Sequence, residues 1–159
     1  DRIGIAAEWI VGVPRPLLFQ RFRAALGMGN TSNDGEHVEV VCWREMFLNL
    51  LSYGTPAEAL GALGIGTENI VRHIYVPFVS AIDSLGTIDR QDSVFFPLHT
   101  AVDDHHQAAL QNIAAELVIT GEDRFDITLG MHKALSLRDS FWNWLLERAY
   151  SPERFNSEH

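Results

Sequence analysis

The stretch that decides the fold is FFPLHTAVDDHH, residues 95–106, which opens a long helical pattern. Each residue of an α-helix is rotated by about 100°, so positions 99, 103 and 106 lie within roughly 60° of one another. His99, Asp103 and His106 are therefore predicted to share one face of the helix. The intervening pair, residues 104–105, points about 120° or more away from this face and is predicted to be solvated.

The face that carries these three residues is otherwise apolar. In steps of three and four residues it continues through Leu110, Ile113 and Leu117, which predicts that it faces the core in a helix over about 91–119. Imidazole and carboxylate groups in a core stripe are costly unless they are hydrogen-bonded or paired. The fold must therefore supply partners for them.

A fourth ionisable residue, Glu68, interrupts another core stripe. The helical pattern over about 68–82 has Val71 and Tyr75 on its apolar face, and Glu68 lies three residues before Val71. Two histidines and two carboxylates form a ligand set that suits Fe(II) or Mn(II) and leaves coordination positions open. The alternative hypothesis is a buried hydrogen-bond network, to which Arg72 would contribute by pairing with Glu68.

Helical periodicity also dominates the rest of the chain, and no segment alternates with the period of a strand. With 159 residues, of which 47% are hydrophobic, the chain is predicted to form a single all-α domain over residues 1–159. Gly61, Gly64 and Gly66 lead into no Gly-Lys-Ser/Thr motif and are predicted to allow close helix packing rather than phosphate binding. The other predicted helices run over about 15–26, from a cap at Asn33 or Asp34 to Gly54, from Thr55-Pro56 onward, and over about 127–150.

The composition excludes several classes of protein. The formal net charge is −9 and no basic cluster could neutralise a run of phosphates, so nucleic acid is not a predicted partner. No apolar run reaches the roughly 18 residues of a membrane span and no leader opens the chain, so no membrane association is expected. The single cysteine, Cys42, suits a reducing compartment and is predicted to be an inert core residue, which favours a cytoplasmic location.

Residues 95–106, with their His-x3-Asp-x2-His spacing, and the segment ALGALGIGTE, residues 59–68, resemble the haem-oxygenase-like di-iron oxidases and oxygenases. The similarity extends to RPLLF, residues 15–19, and to Leu26-Gly27, which look like the family's His-Pro-Glu-Leu-Phe helix and its end. It therefore covers most of the chain. The resemblance implies a helical bundle like that of haem oxygenase and thiaminase II that binds iron but no haem. Known members use O2 to oxidise small organic molecules such as amino acids, amines or fatty acids.

Carried over residue by residue, the resemblance implies one or two Fe(II) ions with O2 as the co-substrate. It implies metal ligands at Glu8, Glu68, His99, Asp103 and His106.

Two features of this sequence depart from the family pattern. Arg15 stands where the family has a histidine, and because a guanidinium cannot ligate a metal, Arg15 is expected to place positive charge beside Glu8 or Glu68. No segment before Glu8 corresponds to the family's N-terminal helix, so the bundle is expected to lack that helix in this numbering.

The predicted catalytic residues are Arg15 and Tyr75, the latter because it is placed to line a pocket or to donate a hydrogen bond to bound oxygen.

Three functional hypotheses follow from these residues. The first is a non-haem iron oxidase or oxygenase that acts on a small organic substrate, with a homodimer as its candidate assembly. The second is a metal-depleted helical bundle that serves as a structural or interaction domain, in which Arg15 pairs with the remaining carboxylates. The third is a metal-free binder of a thiamine-like or pterin-like ligand on the same fold.

Overall fold

The computed structural model describes residues 5–28, 36–119 and 123–151, and within these ranges all side chains except those of residues 102–106 and 119. Over these ranges the chain forms eight α-helices, a π-helical turn and a 3₁₀ turn, and contains no strand. The all-α prediction is therefore confirmed. None of the described helices combines the length and the apolar character that crossing a bilayer requires.

The helix bounds follow the predicted pattern closely. The α-helices are α1 (Ala7–Ile10), α2 (Arg15–Ala25), α3 (Val38–Tyr53), α4 (Pro56–Leu60), α5 (Val71–Leu85), α6 (Arg90–Ser93), α7 (Phe95–Ile119) and α8 (Arg124–Tyr150). The π-helical turn Gly61–Ile65 and the 3₁₀ turn Glu68–Ile70 lie between α4 and α5.

One predicted helix start lies outside the described residues, and one predicted helix is divided in two. Asn33 and Asp34, the predicted caps of α3, lie outside the described residues, and α3 begins directly after His37. The predicted helix over about 91–119 is divided at Val94, which is fully buried. Pro97 lies in the first turn of α7, where a residue without an N–H loses no helical hydrogen bond.

The helices form two compact units, and each is described by itself. The first unit consists of Asp1–Gly35 and Glu68–Ala108, and the second consists of Glu36–Thr67 and Ala109–His159. The chain therefore passes from one unit to the other directly before Glu68 and directly after Ala108. The single domain over residues 1–159 stays a prediction.

The core of the first unit is built from aromatic rings of α2, α5 and α7. The Phe96 ring is buried and makes an edge contact with Phe22 at a centroid distance of 4.8 Å. The Phe78 ring stacks on the Phe96 ring at a centroid distance of 5.4 Å. Leu18 and Val94 are fully buried. These contacts hold the start of α7, and with it His99, against α5.

The core of the second unit depends on glycine. A Cβ atom on Gly61 would lie 2.0 Å from the carbonyl oxygen of Ile127, and one on Gly130 would lie 1.9 Å from the carbonyl oxygen of Glu58. Real Cβ atoms do not approach backbone so closely, so α8 can pack at this distance only because both positions lack a side chain. The predicted close packing of the glycine-rich segment is confirmed.

Two residues that were predicted to be buried are exposed. Ile113 is 48% exposed, whereas its neighbour Ala114 is buried and packs with Ile127. Leu110 and Leu117 of the predicted stripe are half-buried, so the buried face of the second half of α7 runs through Leu110, Ala114 and Leu117. Cys42 is also exposed, since it is rotated about 80° from Leu50, which marks the buried face of α3.

Candidate metal centre

The best-defined residue of the predicted site is His99, in the second turn of α7. Its side chain is half-buried, and its Nδ1 atom lies 2.6 Å from the backbone carbonyl oxygen of Phe95. A carbonyl oxygen only accepts hydrogen bonds, so Nδ1 carries the hydrogen and donates it. In a neutral ring the lone pair then lies on Nε2, which is available to a metal ion.

Two aromatic rings hold the plane of the His99 imidazole. The Phe95 ring lies 4.2 Å from the imidazole centroid, and the Tyr75 ring meets it edge-on at 5.7 Å with an interplanar angle of 90°. Histidines that ligate metals usually donate their second ring N–H to a carboxylate or a backbone carbonyl, which orients the ring. His99 has this arrangement, in which Phe95 supplies both the acceptor and a packing surface.

Glu68 opens the 3₁₀ turn before α5 and is half-buried. Within the described part of the chain its carboxylate takes part in no hydrogen bond and no ion pair. In particular, the described side chains form no ion pair between Glu68 and Arg72, which the network hypothesis predicts. The Glu68 carboxylate therefore has no partner among the described residues that would compete with a cation.

The turn that carries Glu68 lies against α7. The side-chain amide of Gln107 on α7 donates a hydrogen bond to Oδ1 of Asn69. Six residues after Asn69, the Tyr75 ring on α5 contacts His99 on α7. Asn69, the earlier of the two residues, contacts the later residue of α7, Gln107, whereas Tyr75 contacts the earlier residue, His99. The segment 69–75 and α7 therefore run antiparallel. The structure therefore brings the Glu68 turn beside the stretch of α7 that ends at Gln107.

Asp103 and His106 lie on this stretch of α7, but their side chains are outside the described set. Their backbone is helical and continuous with that of His99, so the helical phase on which the prediction depends is present. Among the side chains that the structure describes, no three His, Cys, Asp or Glu groups lie close enough to hold a metal ion. That set includes Glu8, Glu68 and His99 of the five predicted ligands.

The structure does not bring Glu8 to Glu68. Glu8 is exposed on α1, and the next residue, Trp9, lines a cavity of about 160 Å³ together with Ile82 and Asp83. Ile82 lies about 14 residues beyond Glu68, which is roughly 20 Å along a helix axis. Glu8 is thus at the opposite end of α5 from the other predicted carboxylate.

Arg15 is the first residue of α2 and is half-buried. In the described part of the structure it forms no ion pair with Glu8 or Glu68. One turn later in α2, the ring of Phe19 lies 5.1 Å from that of Phe95. Arg15 therefore belongs to the helix that packs on the His99 turn, but the expected placement of its charge beside either carboxylate is not observed.

Sequence reasoning did not identify three contributors to this region. Two are the amide side chains of Asn69 and Gln107, and the third is the carbonyl group of Phe95. The available signal for the amides was their position, because each directly follows a predicted ligand. The signal for Phe95 was its place four residues before His99, within reach of the imidazole along the helix.

The second unit contains a groove of about 860 Å³ between α3 and α8. Met46 and Leu137 give it apolar surface, and His132 and Ser136 give it polar groups. None of the three predicted ligands whose side chains are described lines this groove. The residues that line this groove belong to the second unit, whereas the predicted ligands belong to the first.

A family model described as Iron-containing redox enzyme matches residues 16–139, which is more than half of the chain. No curated protein and no solved structure matches the chain. The match confirms the resemblance to this family, and it begins directly after Arg15, so that Glu8 and Arg15 lie outside it.

Proposed function

We propose that this chain, which belongs to the Iron-containing redox enzyme family, is a non-haem iron oxidase or oxygenase. The observation that carries the proposal is the hydrogen bond from Nδ1 of His99 to the Phe95 carbonyl, because it leaves Nε2 as a free donor atom. The partly buried, unpartnered carboxylate of Glu68 supports the same conclusion. The substrate would be a small organic molecule such as an amino acid, an amine or a fatty acid.

The donor set fits iron. Imidazole nitrogen and carboxylate oxygen together suit Fe(II), and such sites retain open positions for O2 or a substrate. The residues that would hold the ion are Glu68, His99, Asp103 and His106. Bound iron would supply the redox chemistry by which O2 oxidises the substrate.

Phe95 and Tyr75 have separate roles in this proposal. The Phe95 carbonyl accepts the hydrogen on Nδ1 of His99 and so favours the tautomer in which Nε2 carries the lone pair. Tyr75 packs edge-on against the imidazole and limits its rotation. Because Glu8 lies near the far end of α5, we expect one tightly held ion rather than two.

The hypothesis of a metal-depleted structural domain has less support. It requires Arg15 to neutralise the leftover carboxylates, and among the described side chains Arg15 forms no ion pair with Glu8 or Glu68. Among the described side chains, no cationic group pairs with Glu68 either.

Anaerobic loading with Fe(II), followed by removal of free metal and elemental analysis, tests the proposal. We expect about one iron per chain, because three or four protein ligands hold such ions tightly. Oxygen uptake by the loaded protein, measured with an electrode, is expected to exceed that of the iron-free protein. Binding of less than about a tenth of an equivalent would refute the proposal.

Arg15→His is expected to raise the iron content of the loaded protein from about one ion toward two, because it restores an imidazole where the family has one. Elemental analysis measures the change, and Arg15→Gln, which removes the charge without adding a ligand, is the control. Equal iron content in both variants would mean that Arg15 does not stand in a ligand position.

A further inference from the structure

An amide–amide hydrogen bond joins the 3₁₀ turn Glu68–Ile70 to α7. Nε2 of Gln107 donates to Oδ1 of Asn69, and both side chains are half-buried. The two residues lie in the same unit but far apart in the chain. The bond is therefore a tertiary contact between two elements rather than a feature of one helix.

This bond stands beside the proposed ligands on both elements. Asn69 directly follows Glu68, and Gln107 directly follows His106 and lies one helical turn after Asp103. The two backbone segments that it connects are thus the ones that carry three of the four proposed ligands. Neither amide is charged, so any effect on bound metal would come from geometry.

The Asn69–Gln107 bond joins α7 to a part of the chain that is not regular α-helix. The residue lies in a three-residue 3₁₀ turn, outside the hydrogen-bond ladder of α5. The preceding residue, Thr67, belongs to the other unit, and its hydroxyl donates a hydrogen bond to the carbonyl of Ala62 there. The chain passes to the other unit again directly after Ala108. Asn69 and Gln107 therefore each lie within two residues of a point where the chain changes units.

We propose that Asn69 and Gln107 are positioning residues of the iron site. Their hydrogen bond holds the Glu68 turn at the separation from α7 at which Glu68 and the α7 ligands bind the same ion. Metal–ligand distances must be held to within about 0.2 Å, which a short turn does not ensure unaided. This inference rests on the proposed function, since it assumes that Fe(II) binds at Glu68 and α7.

The test compares Fe(II) dissociation constants, measured by anaerobic titration, for wild type, Asn69→Ala, Gln107→Ala and the double variant. We expect each single substitution to raise the Kd about tenfold, as loss of groups that orient ligands typically does. The double variant is expected to bind no more weakly than Asn69→Ala alone, because that substitution already removes the bond to Gln107. Additive effects in the double variant would overturn the proposal.

An exchange variant keeps the test valid if an alanine variant folds poorly. Asn69→Gln combined with Gln107→Asn preserves the total length of the two amides and is expected to restore the Kd to within about threefold of wild type. The visible absorption of the Co(II)-loaded protein gives a second readout, because its intensity changes when a ligand is lost. A purely structural bond would change the melting temperature of the iron-free protein but not this spectrum.

Asn112→Ala is the matched control, because Asn112 is an exposed amide on the same helix. Its Kd and Co(II) spectrum are expected to equal those of wild type. If wild type binds Fe(II) and both single variants bind it equally well, the positioning role is refuted while the proposed function stands. If wild type itself binds no Fe(II), it is the proposed function that fails.

Discussion

His99→Ala is expected to abolish the stabilisation that Fe(II) gives to the wild-type protein. At a free Fe(II) concentration of about a hundred times the Kd, mass action raises the free energy of unfolding by roughly 2.7 kcal/mol. For a chain of this size the melting temperature would rise by about 5–10 °C. Without Nε2 of His99 the ion loses a ligand whose orientation the Phe95 carbonyl sets, so the shift should disappear.

Thermal melts with and without Fe(II) measure this effect, and two further histidines provide the comparison. His106→Ala should also abolish the shift, because residues 99 and 106 share a face of α7. His105→Ala should retain the shift, because its position points away from that face. Identical behaviour of all three variants would mean that the helical phase assigned to this region is wrong. Absence of any shift in wild type would favour the metal-free hypotheses.

Gly130→Ala is expected to destabilise the protein by about 3 kcal/mol or more. The added Cβ would lie 1.9 Å from the carbonyl oxygen of Glu58, so α8 would have to move away from α4. Alanine normally gains up to about 1 kcal/mol over glycine in a helix, but this gain is smaller than the cost of separating two packed backbones. Gly61→Ala should behave similarly, because its Cβ would meet the carbonyl oxygen of Ile127 at 2.0 Å.

Urea denaturation provides the measurement. Thr128→Ala is the control, because Thr128 is an exposed residue of α8 near the same contact, and its replacement should change stability by no more than about 0.5 kcal/mol. If Gly130→Ala is as stable as this control, α4 and α8 do not pack at the distance described.

The errors in the prediction of buried residues have a common physical origin. Hydrophobic periodicity locates an apolar stripe on a helix, but it does not say which neighbouring helix approaches that stripe or how closely. In the second half of α7, Ala114 packs with Ala57 and Ile127 and is buried, whereas the adjacent Ile113 is 48% exposed. Cys42 was misjudged for a similar reason, because α3 has more apolar residues than its partners can cover.

The candidate site was predictable in part. The common face of His99, Asp103 and His106 and the anomalous position of Glu68 both follow from the 3.6-residue repeat, and the structure has helical or turn backbone at all four. The positions of Glu8 and Arg15 came from resemblance alone. The structure places Glu8 near the opposite end of α5, because the ring of the adjacent Trp9 lines the cavity there with Ile82.

The sequence by itself determined that the chain is helical and that positions 99, 103 and 106 fall on one face of α7. Both are local properties, since each depends only on the rotation between residues close together in the chain. The tertiary structure alone decided that the Glu68 turn lies beside α7, and that Asn69 and Gln107 connect them. Such contacts depend on which helix faces meet, and that choice depends on the packing of side chains and glycines across many elements at once, which no local repeat encodes.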